Sequence, residues 1–170
     1  MSGGTNSNGV SLATCRGEAT EYKFISECWF REVPCWKVSH AKYDCIMENG
    51  RRFIRVQIKT AWKRESLDRY HVRLNGHYKP DDFDVLAVYI VQMRVWYIIP
   101  IGAVVKYQGF SLYPHRKIKQ KTSDHIDFEP YREAWNLITG EGEDDTYKRG
   151  SVSNGIDFPV SSDMDYDGAA

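Results

Sequence analysis

Three polar residues in the first half of the chain could bind a cation and move a proton: the acid Asp44, the amide Gln57 and the amine Lys59. Carboxylate and carbonyl oxygens are the ligands that hard divalent cations prefer. A lysine amine can transfer a proton or stabilise developing negative charge. These abilities matter only if the fold brings the three side chains together.

A β-hairpin is predicted to group them. Asn49-Gly50 lies between two strand-like runs, and this dipeptide is typical of a two-residue type I′ turn. With that turn, Asp44 lies opposite Arg55. Since residues two apart along a strand share a face, Asp44, Gln57 and Lys59 are expected on one side of the sheet. The other side would receive apolar residues: Cys45, Met47, Ile54, Val56 and Ile58.

A helix predicted over residues 17–32 adds a second acid. Glu21 falls on the apolar stripe of this helix. A carboxylate turned toward the core is uncommon unless a cation pairs with it, and Lys59, Arg55 or a metal ion could do so. Glu18 lies one turn earlier, near the helix start, where the helix dipole already favours an acid.

The rest of the sequence predicts a mixed α/β domain. Further strands are expected over residues 33–39, 70–74, 85–92 and 95–99, and a closing helix over 130–138. Both ends of the chain are rich in Gly and Ser, and the C-terminal end is also acidic, so neither is expected to fold. The domain is therefore predicted to span 16–139, between a flexible N-terminus (1–15) and a disordered acidic tail (140–170).

The 170 residues carry no formal net charge, but the charges are unevenly distributed. Residues 140–170 hold eight acidic and two basic residues, which leaves an excess of six positive charges on the rest of the chain. A basic body fits binding to a polyanion, although a solvated surface with a disordered tail gives the same composition. The sequence shows neither a signal peptide nor an apolar run of about 20 residues, which predicts a soluble, cytoplasmic protein.

Several short stretches occur in an informative order: GEATEY at 17–22, KYD at 42–44, RVQIKTA at 55–61, FDVLAVY at 83–89 and WYIIP at 96–100. This ordered set resembles the PD-(D/E)XK nuclease superfamily. Within it, the set resembles the group I intron-associated homing endonucleases, whose last motif has glutamine in place of the usual acid. The resemblance extends to the closing helix and spans about residues 17–138. It implies a restriction-endonuclease-like α/β fold and Mg²⁺-dependent endonuclease hydrolysis of DNA phosphodiester bonds.

The resemblance implies a role for each candidate catalytic residue. Asp44 would bind Mg²⁺, or Mn²⁺ in its place, together with the side-chain carbonyl of Gln57 and the backbone carbonyl of Ile58. Glu21 would act through a bound water or a second ion. Lys59 would polarise the attacking water and stabilise the transition state. Because Gln57 carries no charge, weaker metal binding is expected than at an all-acidic site.

Other residues are expected to bind DNA or to support the site. Those that follow the strand of Lys59 would contact the DNA backbone near the scissile bond: Trp62, Lys63 and Arg64. A second basic run would contact phosphates through Arg116, Lys117, Lys119 and Lys121. Three residues are expected beside the site: Glu18, Arg55 and Asp84. Relatives in this branch act as oligomers, and since one site cuts one strand, a homodimer or homotetramer is predicted.

The same residues leave other interpretations open. Each is individually ordinary: Asp44 could cap a turn, and Gln57 and Lys59 could simply face solvent. The glutamine also fits a catalytically silent nucleic-acid-binding module of the same fold. A junction resolvase or repair-type nuclease would differ only in the DNA that it cuts. The acidic tail could also regulate DNA binding by masking the basic body.

Overall fold

Within the described part of the chain, a mixed β-sheet of seven strands forms the centre. The computed structural model describes residues 11–39, 41–63, 69–74, 76, 78–114 and 127–139. The elements in these residues are α1 (Leu12–Phe30), β1 (Cys35–Lys37), β2 (Cys45–Glu48), β3 (Phe53–Lys63), β4 (Tyr70–Arg73), β5 (Val85–Ile90), β6 (Val95–Pro100), α2 (Ile101–Val104), β7 (Gly109–Leu112), a 3-10 turn (Glu129–Tyr131) and α3 (Asn136–Thr139). This architecture confirms the predicted α/β class of a mixed sheet flanked by helices.

The long strand β3 organises the sheet, because it pairs with three different strands along its length. Its first residues pair with β2 as far as Val56, and its last two pair with β4, both antiparallel. Its central part pairs with β5 in parallel, from Val56 to Ala61. Beyond Val56, β3 therefore leaves β2 while it stays bonded to β5. This separation opens the sheet beside Gln57, Ile58 and Lys59.

Apolar side chains on both faces of the sheet build two cores. One core lies between α1 and the sheet and includes Phe24, Cys28, Met47, Val56 and Ile98. The other lies on the opposite face and includes Leu86, Val88, Tyr97, Ile99 and Phe110. All six residues of β5 are buried, as expected for a central strand that is covered on both faces.

Helix α1 starts earlier than the sequence predicts. It begins at Leu12, because the hydroxyl oxygen of Ser11 accepts a hydrogen bond from the N–H of Thr14 (3.1 Å) and caps the helix. Residues 12–15, which were expected to be flexible, are therefore helical. The hydroxyls of Thr20 and Thr60 meet at 2.8 Å and join the helix to β3.

The hairpin turn is two residues longer than predicted. Glu48 pairs with Phe53, so residues 49–52 form the connection, and Arg55 lies opposite Ile46 instead of Asp44. The cause is Asn49. Its side-chain oxygen accepts hydrogen bonds from the backbone N–H groups of Arg51 and Arg52, each at 3.2 Å. A shift of two residues keeps every side chain on its predicted face, and the five predicted core residues of the hairpin are all buried.

The prediction of one continuous closing helix over residues 130–138 is wrong. A 3-10 turn and the short helix α3 replace it, because Glu133 lies between them with φ +49°. The carboxylate of Glu133 accepts hydrogen bonds from the backbone N–H of Trp96 (2.6 Å) and from the indole of Trp135 (2.8 Å). Bonding to the sheet therefore takes precedence over helix continuation. Two elements were not predicted at all: α2 and β7.

Other strand predictions need only small corrections. The strand expected over 33–39 is limited to β1, which begins after Pro34, and those expected over 70–74, 85–92 and 95–99 correspond to β4, β5 and β6. The described helices include none that is both long and apolar enough to cross a membrane. Helix α1 begins before the predicted domain start at residue 16. The predicted flexibility of residues 1–10 and the predicted acidic, disordered tail over 140–170 stay predictions, since these residues lie outside the described part.

Replacing Phe24 with alanine is expected to destabilise the protein by about 3–5 kcal/mol, because a buried aromatic ring is lost from a packed core. Phe24 is 0% exposed and its ring lies 5.2 Å from that of Trp96 and 5.6 Å from that of Trp135. Urea unfolding measures the change. Phe30 on the same helix is 84% exposed, so Phe30→Ala is the matched control, with an expected change within about 0.5 kcal/mol. Equal losses in both variants would contradict this packing.

Candidate active site

Asp44 lies at the point where β2 separates from β3. Its backbone N–H donates to the carbonyl of Val56 (2.9 Å), so the chain is still held to β3 at this residue. Its carboxylate accepts the backbone N–H of Ile58 at 2.6 Å, a donor that β2 no longer reaches. Asp44 therefore provides the hydrogen-bond acceptor that the opened edge of the sheet needs, and this bond holds its side chain in place.

Gln57 and Ile58 complete a small group of oxygen atoms around Asp44. The amide nitrogen of Gln57, which is buried at 8% exposure, donates to the Asp44 carboxylate and to the backbone carbonyl of Ile58 (3.3 Å). The N–H and C=O of one strand residue point to the same edge, so the Ile58 carbonyl lies on the Asp44 side. A positively polarised NH₂ group thus lies between two oxygen atoms.

Lys59 is partly buried and lies close enough to both acids for their charges to act on it. Burial lowers the pKa of Lys59 below its ordinary value, although the negative charges of Asp44 and Glu21 oppose the shift. A lysine with a lowered pKa gives up its proton more readily than an exposed one. Such a lysine suits proton transfer at a reaction centre.

The pKa of Asp44 is shifted in the opposite direction. Burial raises it above the ordinary value, and the negative charge of Glu21 raises it further. The hydrogen bond from Ile58 and the charges of Lys59 and Lys37 oppose the shift. An acid and an amine whose charged forms are both disfavoured by burial form the kind of pair found at catalytic and metal-binding sites.

The partner of Glu21 is a residue that the sequence analysis missed, Lys37 on β1. The Nζ atom of Lys37 lies 3.0 Å from a Glu21 carboxylate oxygen, and it also donates a hydrogen bond to Glu18. The strand alternation gave a signal for it, since Lys37 follows the buried Cys35 by two residues and so shares its face. The suggested pairing of Glu21 with Arg55 is wrong.

Arg55 instead pairs with Asp84, which precedes β5. Its guanidinium donates to both carboxylate oxygens of Asp84, each at 3.1 Å, and to the carbonyl of Asp81 (2.6 Å). Burial opposes ionisation of Asp84, but the hydrogen bonds from Arg55 outweigh it and lower the pKa of this acid. The pair therefore fixes the start of β5 against β3, two residues before Gln57.

Replacing Arg55 with methionine is expected to cost about 1–3 kcal/mol of stability at neutral pH, because Asp84 loses its charged donor. The folded-state pKa of Asp84 is lowered, so the pair stabilises the protein above the unfolded-state value and its contribution disappears as the pH falls through the folded-state value. The difference from the wild type should therefore shrink below about pH 4. Urea unfolding as a function of pH tests this, with Arg51→Met in the exposed turn as the control. A difference that does not change with pH would contradict it.

Only two of the residues predicted to contact DNA lie in the described part of the chain. Trp62 and Lys63 end β3 and are exposed, and the guanidinium of Arg16 lies 4.5 Å above the Trp62 ring. Arg16 on α1 is a basic residue that the sequence analysis did not select. The other predicted contacts lie outside the described residues: Arg64, Arg116, Lys117, Lys119 and Lys121.

A divalent cation would be held here by one carboxylate together with neutral oxygen ligands. Among the described residues, no group of three or more His, Cys, Asp or Glu side chains is arranged to hold a metal. The site nevertheless fits a hard cation, because the Gln57 NH₂ group lies between the Asp44 carboxylate and the Ile58 carbonyl. The nitrogen and oxygen of an amide have nearly the same shape, so a flipped Gln57 would offer its carbonyl oxygen to the same place.

The comparisons with known proteins identify the family and the fold. A family model described as PD-(D/E)XK endonuclease matches residues 14–138. The chain belongs to this family. Its restriction-endonuclease-like fold is similar to that of the bacterial homing endonuclease I-Ssp6803I, with a TM-score of 0.65 and 22% identity, over 76% of this chain and 95% of that chain.

One further solved structure is more distantly similar to this PD-(D/E)XK protein. It is Hjc, a Holliday junction resolvase from Archaeoglobus fulgidus, with a TM-score of 0.42 and 16% identity, over 58% of this chain and 88% of that chain. No curated protein sequence matches the chain. The family match includes all four candidate catalytic residues: Glu21, Asp44, Gln57 and Lys59.

Proposed function

We propose that this PD-(D/E)XK protein is a Mg²⁺-dependent DNA endonuclease of the homing endonuclease type. The observation that carries the proposal is the convergence of the Asp44 carboxylate, the Gln57 amide and the Ile58 carbonyl, with Lys59 beside them. Nucleases of this family hydrolyse phosphodiester bonds, and the fold is similar to that of a homing endonuclease.

In the proposed reaction, each side chain has a task that its surroundings support. Asp44, Gln57 and the Ile58 carbonyl would hold the ion, which when bound would supply positive charge beside the phosphate and make a bound water more acidic. Lys59 orients the attacking water and accepts its proton when neutral, which its lowered pKa makes easier. Glu21 acts through water, since its carboxylate is held by Lys37.

DNA is the proposed substrate because the chain outside residues 140–170 has a surplus of six positive charges. One site cuts one strand, so a double-strand break requires two sites, and we propose that the protein works as a homodimer or homotetramer. Light scattering on the purified chain measures the oligomeric state. We further propose a cytoplasmic location.

The test is incubation of the full chain with supercoiled plasmid DNA and Mg²⁺ or Mn²⁺. We expect nicked or linear product from the wild type and from Lys23→Met, a control variant outside the site, and at least about 100-fold slower cutting by Asp44→Asn and Lys59→Met. Equal cutting by all four would indicate a contaminating nuclease and contradict the assignment. DNA binding without metal-dependent cutting would indicate a catalytically silent module, and preferential cutting of branched DNA would indicate a junction resolvase.

A further inference from the structure

Lys37 lies on the side of the site that faces helix α1, where it pairs with two acids of that helix. The Nζ atom of Lys37 lies 3.0 Å from a carboxylate oxygen of Glu21, donates to Glu18, and lies 4.7 Å above the Tyr22 ring. The side chains of Lys37 and Glu21 are 27% and 19% exposed, so water screens their interaction only in part. One strand residue thus binds two acids that lie on successive turns of α1.

Lys37 also interacts electrostatically with Asp44, the acid of the proposed metal site. It pairs with Cys45 across β1 and β2, and the N–H of the next residue, Val38, donates to the Asp44 carbonyl (2.9 Å). The charges of Lys37 and Glu21 both act on Asp44, in opposite directions. The ammonium group therefore contacts both helical acids, and its charge also acts on Asp44.

The summed charge of the acids and lysines around the site favours the binding of one divalent ion. Three carboxylates, Glu18, Glu21 and Asp44, face two ammonium groups, Lys37 and Lys59, when all are ionised. The balance is one negative charge, which a single divalent cation more than compensates. A second ion would have to displace Lys37 from Glu21, or else add two charges beside an ammonium group.

We infer that Lys37 takes the place of a second metal ion: it neutralises Glu21 and Glu18, so that the site holds a single divalent cation on the Asp44 side. This inference rests on the proposed function and deepens it. Lys37 is a positioning residue, which acts through Glu21. Removal of its charge should free Glu21 to bind a second cation.

The number of bound Mn²⁺ ions, counted on the full chain by electron paramagnetic resonance, tests the inference without a cleavage assay. We expect one ion per chain for the wild type, two for Lys37→Met, and one for Lys37→Arg, which restores the cation. The matched control is Lys23→Met, because Lys23 pairs with Glu27 on the same helix at 3.1 Å and should leave the count at one. Glu21→Gln added to Lys37→Met should return the count from two to one.

Each other outcome has a definite meaning. Two ions on the wild type, or one on folded Lys37→Met, would overturn the inference and leave the nuclease proposal intact. No ion on the wild type would overturn both. If Lys37→Met fails to fold, Glu21→Gln alone decides: a retained single ion supports the inference, and its loss contradicts it, because Glu21 would then be needed to hold the first ion.

Discussion

Replacing Asp44 with asparagine is expected to reduce Mg²⁺-dependent DNA cleavage at least about 100-fold, more than the loss of an outer partner of a metal ligand. The neutral amide is a much weaker ligand for a hard cation than the carboxylate. Its oxygen can still accept the Ile58 N–H, which Asp44 accepts at 2.6 Å, so the local backbone should be preserved. Plasmid cleavage rates of the two proteins measure the effect.

The same substitution should not lower stability when metal is absent. The folded-state pKa of Asp44 is raised, so the folded protein holds this proton more tightly than the unfolded chain does. That stabilising contribution is complete below the unfolded-state pKa and is lost as the pH rises through the folded-state value. At neutral pH the buried charge is therefore unfavourable, and Asp44→Asn should melt at the same temperature or higher.

Addition of Mn²⁺ provides the control for this prediction. A ligand that binds only the folded state raises its stability, so Mn²⁺ should raise the melting temperature of the wild type and leave that of Asp44→Asn unchanged. An equal rise in both proteins would contradict the assignment of Asp44 as a metal ligand. So would full cleavage activity in the variant.

Replacing Lys59 with methionine is expected to lower the cleavage rate by about 10²–10⁴-fold, the usual range for loss of a proton-transfer group. Mn²⁺ binding should be retained, because the methionine side chain leaves Asp44, Gln57 and the Ile58 carbonyl in place. The Lys23→Met control should cleave at the wild-type rate. Loss of Mn²⁺ binding together with activity would indicate that Lys59 only supports the fold of the site.

The pH dependence of cleavage provides a second test of Lys59. Burial lowers the pKa of this lysine, so the neutral amine forms at a lower pH than at an exposed lysine. The wild-type rate should therefore rise with pH below the ordinary lysine value. Lys59→Arg keeps the charge but cannot lose its proton, so it should not restore activity. A fully active Lys59→Arg would show that charge alone is needed.

From the sequence, the strand faces of the site residues could be predicted better than the turn of the hairpin that carries them. The turn prediction failed because the Asn49 side chain binds two later N–H groups, an interaction that dipeptide preferences do not include. Asp44 and Gln57 still meet, because a register shift of two residues preserves the faces of a strand. What depends on faces could be predicted, and what depends on local hydrogen bonds could not.

Other missed features depend on contacts distant in sequence. Lys37 and Glu18 are 19 positions apart and meet only when α1 packs against β1. Glu133 ends the predicted closing helix because it bonds to Trp96, which lies 37 positions earlier. Neither contact leaves a periodic pattern in the local sequence. Of these missed contacts, the strand alternation could have indicated only the face of Lys37.

The central claim is that Asp44, Gln57 and the Ile58 carbonyl hold one divalent cation beside Lys59. Anomalous X-ray scattering from a crystal soaked in Mn²⁺ tests it most directly, since it locates the ion without any assay of activity. The account predicts a single manganese peak per chain, bound by those three oxygen atoms, with Lys59 next to a metal-bound water. A peak held elsewhere, or no peak at a concentration that supports cleavage, would contradict it.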